Sequence, residues 1–198
     1  MEAKKIETTE LMSKISDELY SSLRENDICG RCVSSLDRDE LAAVYYYTTE
    51  HDYLSYRNIN HHLNEGSVDA DLKQHILRLD SSLNKLPHYK DSLLYRGEDF
   101  DGYIKRVIDR ISSGMVDQKD IIFTCKSYIS TTVLKNSCFL HKNVVYTLFK
   151  NKSARNISHV SAFENEAEVL FPRECNFILI SVENDHGTGK TIVQMAEV

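Results

Sequence analysis

Two carboxylates, Glu166 and Glu168, flank Ala167 just before the apolar run Val169-Leu170-Phe171 and just after Ser161-Ala162-Phe163-Glu164-Asn165. If extended backbone reaches back to them, residues two apart project to the same face and both carboxylates line one cleft. Such a pair suits chemistry that passes through a sugar cation. One carboxylate stabilises the positive charge that grows at the anomeric carbon, and the other orients or deprotonates a nucleophile. Two glutamates near a strand end are also ordinary solvated surface, so their weight depends on the residues that accompany them.

Two further elements supply that company. Leu94-Tyr95-Arg96-Gly97 ends a predicted strand with an arginine whose rigid fork suits a phosphate or a structural carboxylate, followed by a glycine whose backbone can approach a ligand closely. Tyr128-Ile129-Ser130-Thr131-Thr132 sets hydroxyls along another strand, where Ser130 can hydrogen-bond a ligand or hold a glutamate in place.

Three other patterns carry less. Cys29-Gly30-Arg31-Cys32 has the spacing of a redox pair or half a zinc site, yet the preceding residues 19–27 read as helix and no second pair of ligands is suitably spaced. Gly187-Thr188-Gly189-Lys190-Thr191 resembles the end of a phosphate-binding loop but lacks the earlier glycine and the long helix that should follow, so it reads as a hairpin turn. Adjacent residues on a helix point about 100° apart, so His61-His62 is not expected to share a metal, and no metal site is expected.

The elements that must position these residues change character along the chain. In 68–83, apolar residues at 68, 72, 76, 79 and 83 form one stripe of a helix; 37–47 and 51–63 also read as helices. After Pro87 come short β-branched and aromatic runs at 93–96, 121–125, 128–133, 143–149, 157–160, 169–171, 177–182 and 191–195, expected to make one or two antiparallel-leaning sheets. A helix over 100–111, with Tyr103, Val107 and Ile111 on one face, interrupts them. The class is α+β, and 198 residues suit one domain, mainly helical over 1–90 and mainly β over 91–198.

A net charge of −6 argues against a nucleic-acid reader, because phosphate binding needs clustered Lys and Arg. No run approaches the roughly 20 apolar residues that span a bilayer, and the first residues show no signal peptide. Five cysteines, an odd number, fit a soluble protein of a reducing compartment, cytoplasmic or delivered into another cell.

Taken in this order, the motifs resemble those of the mono-ADP-ribosyltransferases built on an arginine, a serine-threonine strand and a terminal glutamate motif, found among bacterial toxins, phage enzymes and animal ectoenzymes. The resemblance rests on Tyr95-Arg96-Gly97, Ser130-Thr131-Thr132 and Glu166-Ala167-Glu168-Val169-Leu170-Phe171-Pro172. It extends to Tyr56-Arg57-Asn58-Ile59-Asn60-His61-His62-Leu63, similar to the family's Tyr-x-x-Ile-Asn-x-x-Leu.

The resemblance implies N-terminal helices packed on two small antiparallel-leaning sheets that form an NAD cleft. It implies that NAD is the substrate and a protein arginine the acceptor. Arg96 would hold NAD phosphate, the Gly97 backbone would meet the nicotinamide amide, and Ser130 would orient Glu168. Glu168 would bond the nicotinamide ribose and stabilise the oxocarbenium ion; Tyr56 and Asn60 would border the dinucleotide. Glu166 would face the acceptor, a glutamate there going with arginine targets in the family, and Phe163 matches an aromatic of the acceptor-recognition loop. The family's third strand serine is Thr132 here. The chain is expected to act as a monomer on a target protein. The alternatives are an NAD glycohydrolase that uses water alone and a catalytically silent protein-binding module on the same fold.

Overall fold

The computed structural model describes residues 20–23, 34–50, 53–90, 93–99, 102–115, 117, 121–135 and 141–198. Cys29, Cys32 and Cys138 lie outside the described residues, as do most of 19–27. The chain divides into two compact units, Met1–Pro87 with Arg155–Asn165, and His88–Ala154 with Glu166–Val198.

The first unit is built on helices α1 (Arg38–Thr48), α2 (Tyr56–Glu65) and α3 (Ala70–Lys85). Each begins where its sequence supplies a start. Asp37 caps α1 in a capping box with Glu40, and the Asp69 side chain accepts from the amides of Asp71 and Leu72 at the head of α3. Helix α2 starts at Tyr56 rather than at 51, because the Asn58 side chain donates to the Tyr53 carbonyl at 2.9 Å and holds a turn there. It stops at Gly66, whose φ of 69° closes a left-handed cap.

Of the apolar stripe expected for α3, Leu72, Ile76, Leu79 and Leu83 are buried on the helix, whereas Val68 precedes its Asp69 cap and is half-buried; α1 contributes Leu41, Ala42, Ala43, Val44 and Tyr47 to the interior. Glu40 is buried too, and links the two helices: its carboxylate accepts from Ser81 Oγ at 2.7 Å and meets Lys85 Nζ at 2.6 Å.

The segment that returns to this unit carries a two-residue strand, β5 (Arg155–Asn156). Residues 157–160, expected as a strand, form a turn instead. The Asn156 side chain accepts from the Ser158 amide at 3.0 Å and from its hydroxyl at 2.7 Å, offering the backbone a local alternative to a ladder. Ile157 and Val160 are buried, which is why their apolar character resembled a strand.

The second unit holds β1 (Leu94–Glu98), α4 (Gly102–Ser112), β2 (Ile122–Cys125), β3 (Ile129–Thr132), β4 (Val144–Phe149), β6 (Glu168–Phe171), β7 (Cys175–Asp185) and β8 (Lys190–Glu197). Its strands lie in the order β2-β7-β8-β4-β1-β3-β6. This is one open sheet rather than two. The join is narrow, however: β1 and β3 share the single register pair Tyr95↔Thr132, whereas β1 and β4 pair over five positions from Leu94↔Leu148 to Glu98↔Val144.

The pairing of β4 with β8 is parallel, while β7 and β8 form an antiparallel hairpin. That hairpin contains Gly187-Thr188-Gly189, and the turn expected there is present: Asp185 accepts from the Gly187 amide at 2.9 Å and the Thr188 hydroxyl at 2.6 Å, with Gly189 at φ 70°.

Strand alternation sends Leu94, Tyr146, Leu148, Val169, Phe171, Phe177, Val193 and Met195 into one core, and Val107, Ile108 and Ile111 of α4 pack on it. The Tyr103 side chain lies outside what is described. Among the described residues no helix is long and apolar enough to cross a membrane.

Candidate active site

Adjacent strands β3 and β6 bring the central pair together. Their register sets Thr132 opposite Glu168 and Ser130 opposite Leu170, so Ser130 and Glu168 are diagonal neighbours on one face. The Ser130 hydroxyl donates to Glu168 Oε1 at 2.5 Å, and Glu168 is 5% exposed. A buried carboxylate fixed by a short bond to a neighbouring strand has one orientation, which is what stabilising a charge at a defined point requires.

Arg96 reaches the same strand. Its Nη1 donates to the Ser130 carbonyl at 2.8 Å, and its Nε donates to Glu98 Oε1 at 2.7 Å. Because β1 and β3 share only Tyr95↔Thr132, the arginine bridges strands that have ceased to pair by register. Alternation also places Gly97 on the face of β1 that carries Tyr95, opposite Thr132. A side chain at 97 would therefore stand over the face that bears Ser130 and Glu168. Glycine places no side chain there.

Glu166 arrives by a different route from the extended one expected. Glu164–Glu166 is a turn of 3-10 helix, Ala167 adopts φ 45°, and the strand begins only at Glu168. The two-residue alternation argument therefore does not apply; a left-handed residue between the carboxylates sets their relation instead. Such a backbone at alanine costs about 1–2 kcal/mol and needs anchors. Thr132 supplies one: its hydroxyl donates to the Glu166 carbonyl at 2.6 Å and accepts from the Leu134 amide at 3.1 Å. Burial, and secondarily the charge of Glu168, push the Glu166 carboxyl up to about 7.

The remaining candidates belong to the helical unit. Tyr56 opens α2, 37% exposed, with its ring 6.4 Å from that of Tyr47 and its hydroxyl accepting from Arg57 Nε at 3.0 Å. Asn60, one turn on, donates to the Tyr47 hydroxyl at 3.2 Å. Phe163 is 43% exposed on the returning segment, where its amide donates to Ser161 Oγ at 3.2 Å and the Ala162 amide to Thr48 Oγ1 at 2.8 Å. Sequence reasoning passed over Thr132 as an anchor, Glu98 as the partner of Arg96 and Tyr47 as the support of Asn60. Glu98 had a signal, since it stands two residues beyond Arg96 on the same strand. Among the described residues no group of three or more His, Cys, Asp or Glu side chains could hold a metal ion.

A buried glutamate bonded to a serine of the adjacent strand, an arginine tied to that strand, and a second glutamate one left-handed residue away define the arrangement of an ADP-ribosyltransferase-type fold. The match to the model of the ADP-ribosyltransferase exoenzyme family runs over residues 13–198, and the chain belongs to that family.

Over 162 residues it is 32% identical to the Mycobacterium avium (strain 104) protein named "Putative NAD(+)--arginine ADP-ribosyltransferase Mav", covering 82% of this chain and 18% of that protein. Over 135 residues it is 24% identical to "Mono-ADP-ribosyltransferase C3" of Hathewaya limosa, covering 61% of this chain and 54% of that one. The chain thus matches about half or less of the length of these curated relatives. In fold it is similar to the crystal structure of ADP-ribosyltransferase HopU1 of Pseudomonas syringae pv. tomato DC3000, with a TM-score of 0.70 at 21% identity over 95% of this chain and 86% of that one.

Proposed function

We propose that the chain transfers ADP-ribose from NAD to an arginine of a target protein and releases nicotinamide, acting as a single catalytic domain. The observation that carries this reading is the Ser130–Glu168 bond: a buried carboxylate held in one orientation at 2.5 Å. As the bond from the nicotinamide nitrogen to the ribose anomeric carbon breaks, its electron pair leaves with nicotinamide. The positive charge left on the sugar develops beside Glu168. Arg96 supplies cationic donors for the diphosphate, and Gly97 presents backbone to the nicotinamide amide. A guanidinium nitrogen of the acceptor then bonds to the anomeric carbon, and its proton passes to Glu166 as that bond forms, because free guanidinium has a pKa above about 12. The names of relatives such as Mav, and a glutamate rather than glutamine at 166, support arginine as acceptor. Tyr56 and Asn60 are assigned to dinucleotide binding and Phe163 to acceptor recognition on the family resemblance.

The test is to incubate the purified chain with labelled NAD and a cell lysate beside Glu168→Gln and Glu166→Gln. Glu168→Gln abolishes both protein labelling and nicotinamide release. Glu166→Gln loses labelling but keeps more of the nicotinamide release, because water can still attack. Equal labelling by wild type and Glu168→Gln would overturn the mechanism. Nicotinamide release by wild type without labelled protein would identify a glycohydrolase. No NAD binding in calorimetry would identify a silent binding module. Light scattering tests the monomer assigned to the chain.

A further inference from the structure

The register of β2 with β7 sets Cys125 directly opposite Cys175, and both thiols are free. Alternation is regular at this point. Cys175, Phe123 and Phe177 lie in the apolar core with Cys125 packed against it, whereas Thr124 and Asn176 face outward and bond to each other at 2.8 Å. The two cysteines therefore point to the same side of the sheet. Directly opposed antiparallel residues have Cα atoms about 4.5–5.5 Å apart, inside the window of about 4.4–6.8 Å found for disulfide-linked cysteines.

The Cys175 thiol donates to the Pro172 carbonyl at 2.9 Å and lies 3.3 Å from Ser153 Oγ, while Cys125 is the more exposed of the two. Neither takes part in the chemistry above. Strand β2 is an edge strand, with β7 as its neighbour.

We propose that Cys125 and Cys175 are a thiol–disulfide pair, which a small-molecule disulfide of the glutathione class oxidises to a bond stapling β2 to β7. Cys125 loses its proton and its thiolate attacks one sulfur of the oxidant, releasing the first small thiolate and leaving a mixed disulfide. Cys175, deprotonated in turn, attacks the Cys125 sulfur and expels the second. Two electrons pass from the cysteines to the oxidant, and the two protons end on the released thiols. Burial pushes both cysteine thiols up to about 11, so thiolate is scarce at neutral pH and oxidation speeds up as pH rises. The staple closes a long chain loop, which restricts the unfolded ensemble.

The test uses the full chain, reduced and then incubated with oxidised glutathione at about pH 7 and about pH 9, followed by alkylation and non-reducing peptide mapping. The expected product is a peptide joining Cys125 to Cys175, two hydrogens lighter than its reduced parts, with both sites protected from iodoacetamide. It forms roughly a hundredfold faster at the higher pH. Its Tm is higher by about 5 °C or more and falls back on adding dithiothreitol. A variant with Cys29, Cys32 and Cys138 replaced by serine gives the same link, and adding Cys125→Ser to it makes the Tm insensitive to oxidant. Should that variant not fold, the wild-type map decides alone. Folded wild type whose Cys125 and Cys175 stay open to alkylation after both incubations overturns the proposal. So does a map in which either cysteine links mainly to another partner.

Discussion

Transfer to arginine should depend on pH through Glu166 in a way that NAD cleavage by water does not. Its carboxyl stands at about 7 instead of the ordinary 4.5, first because burial disfavours the charged form and second because Glu168 is an anion beside it. With a pKa of about 7, about one Glu166 in ten is ionised at pH 6 and about nine in ten at pH 8. If Glu166 attracts the acceptor guanidinium and takes its proton, the ratio of transfer to hydrolysis rises about tenfold over that interval. The assay measures transfer to a small guanidinium acceptor and nicotinamide release in parallel, as kcat/KM, whose profile reports the free enzyme. Glu166→Gln should flatten the ratio. The same group has a stability signature of definite sign: the native state holds a proton that the unfolded state has lost, so stability falls as pH rises from about 4.5 to about 7. Full burial would make the loss about 3 kcal/mol, and the partly exposed position reduces it to about 1–2 kcal/mol. A wild-type ratio that is flat from pH 6 to pH 8, with NAD cleavage intact, would refute the role given to Glu166.

Three other perturbations test the supports of the fold and site. Thr132→Val removes both the donor to the Glu166 carbonyl and the acceptor for the Leu134 amide, and should cost about 1–3 kcal/mol in denaturant unfolding, with Thr132→Ser restoring most of it. Ala167→Gly relieves the φ of 45° and should raise stability by up to about 1 kcal/mol, whereas Ala167→Val should lower it; thermal melts that rank the two the other way would contradict the strained turn. Among the described residues His75 is fully buried with no hydrogen-bond partner on either ring nitrogen, and burial, with Arg78 adding to it, holds its pKa down at about 4. The unfolded imidazole binds its proton at about 6.5, so stability should fall by about 3 kcal/mol as pH drops from about 6.5 to about 4. Urea titrations of His75→Leu in a Glu166→Gln background should lack that slope, the second change removing the opposing contribution of the carboxyl.

What could be read from the sequence, and what could not, follows from which interactions a side chain declares. Ser130 and Glu168 were legible through the family resemblance, because residue type and order survive in a one-dimensional pattern, although the β3–β6 register that makes the two neighbours does not. The stripe of α3 was legible from residue type and order too, as was the hairpin at Gly187-Thr188-Gly189, whose glycines and preceding Asp185 carry turn chemistry in their types. The path from Glu166 to Glu168 was not. Ala167 bears no mark of a left-handed residue, as glycine or asparagine would, and the contact that sustains it runs from the Thr132 hydroxyl to a backbone carbonyl that every residue possesses. Pairings that depend on register rather than type were hidden in the same way: the parallel join of β4 to β8, the single pair joining β1 to β3, and Cys125 opposite Cys175. The chemistry proposed for the site therefore rests on side chains that the sequence names. Its geometry depends on a backbone turn held by Thr132, the position at which this chain substitutes threonine for the family's serine. Threonine keeps the hydroxyl that does the holding, and its stiff, β-branched χ1 limits the directions in which that hydroxyl can point. The substitution therefore preserves the anchor of Glu166 while narrowing its freedom, and the Thr132→Ser variant separates those two effects.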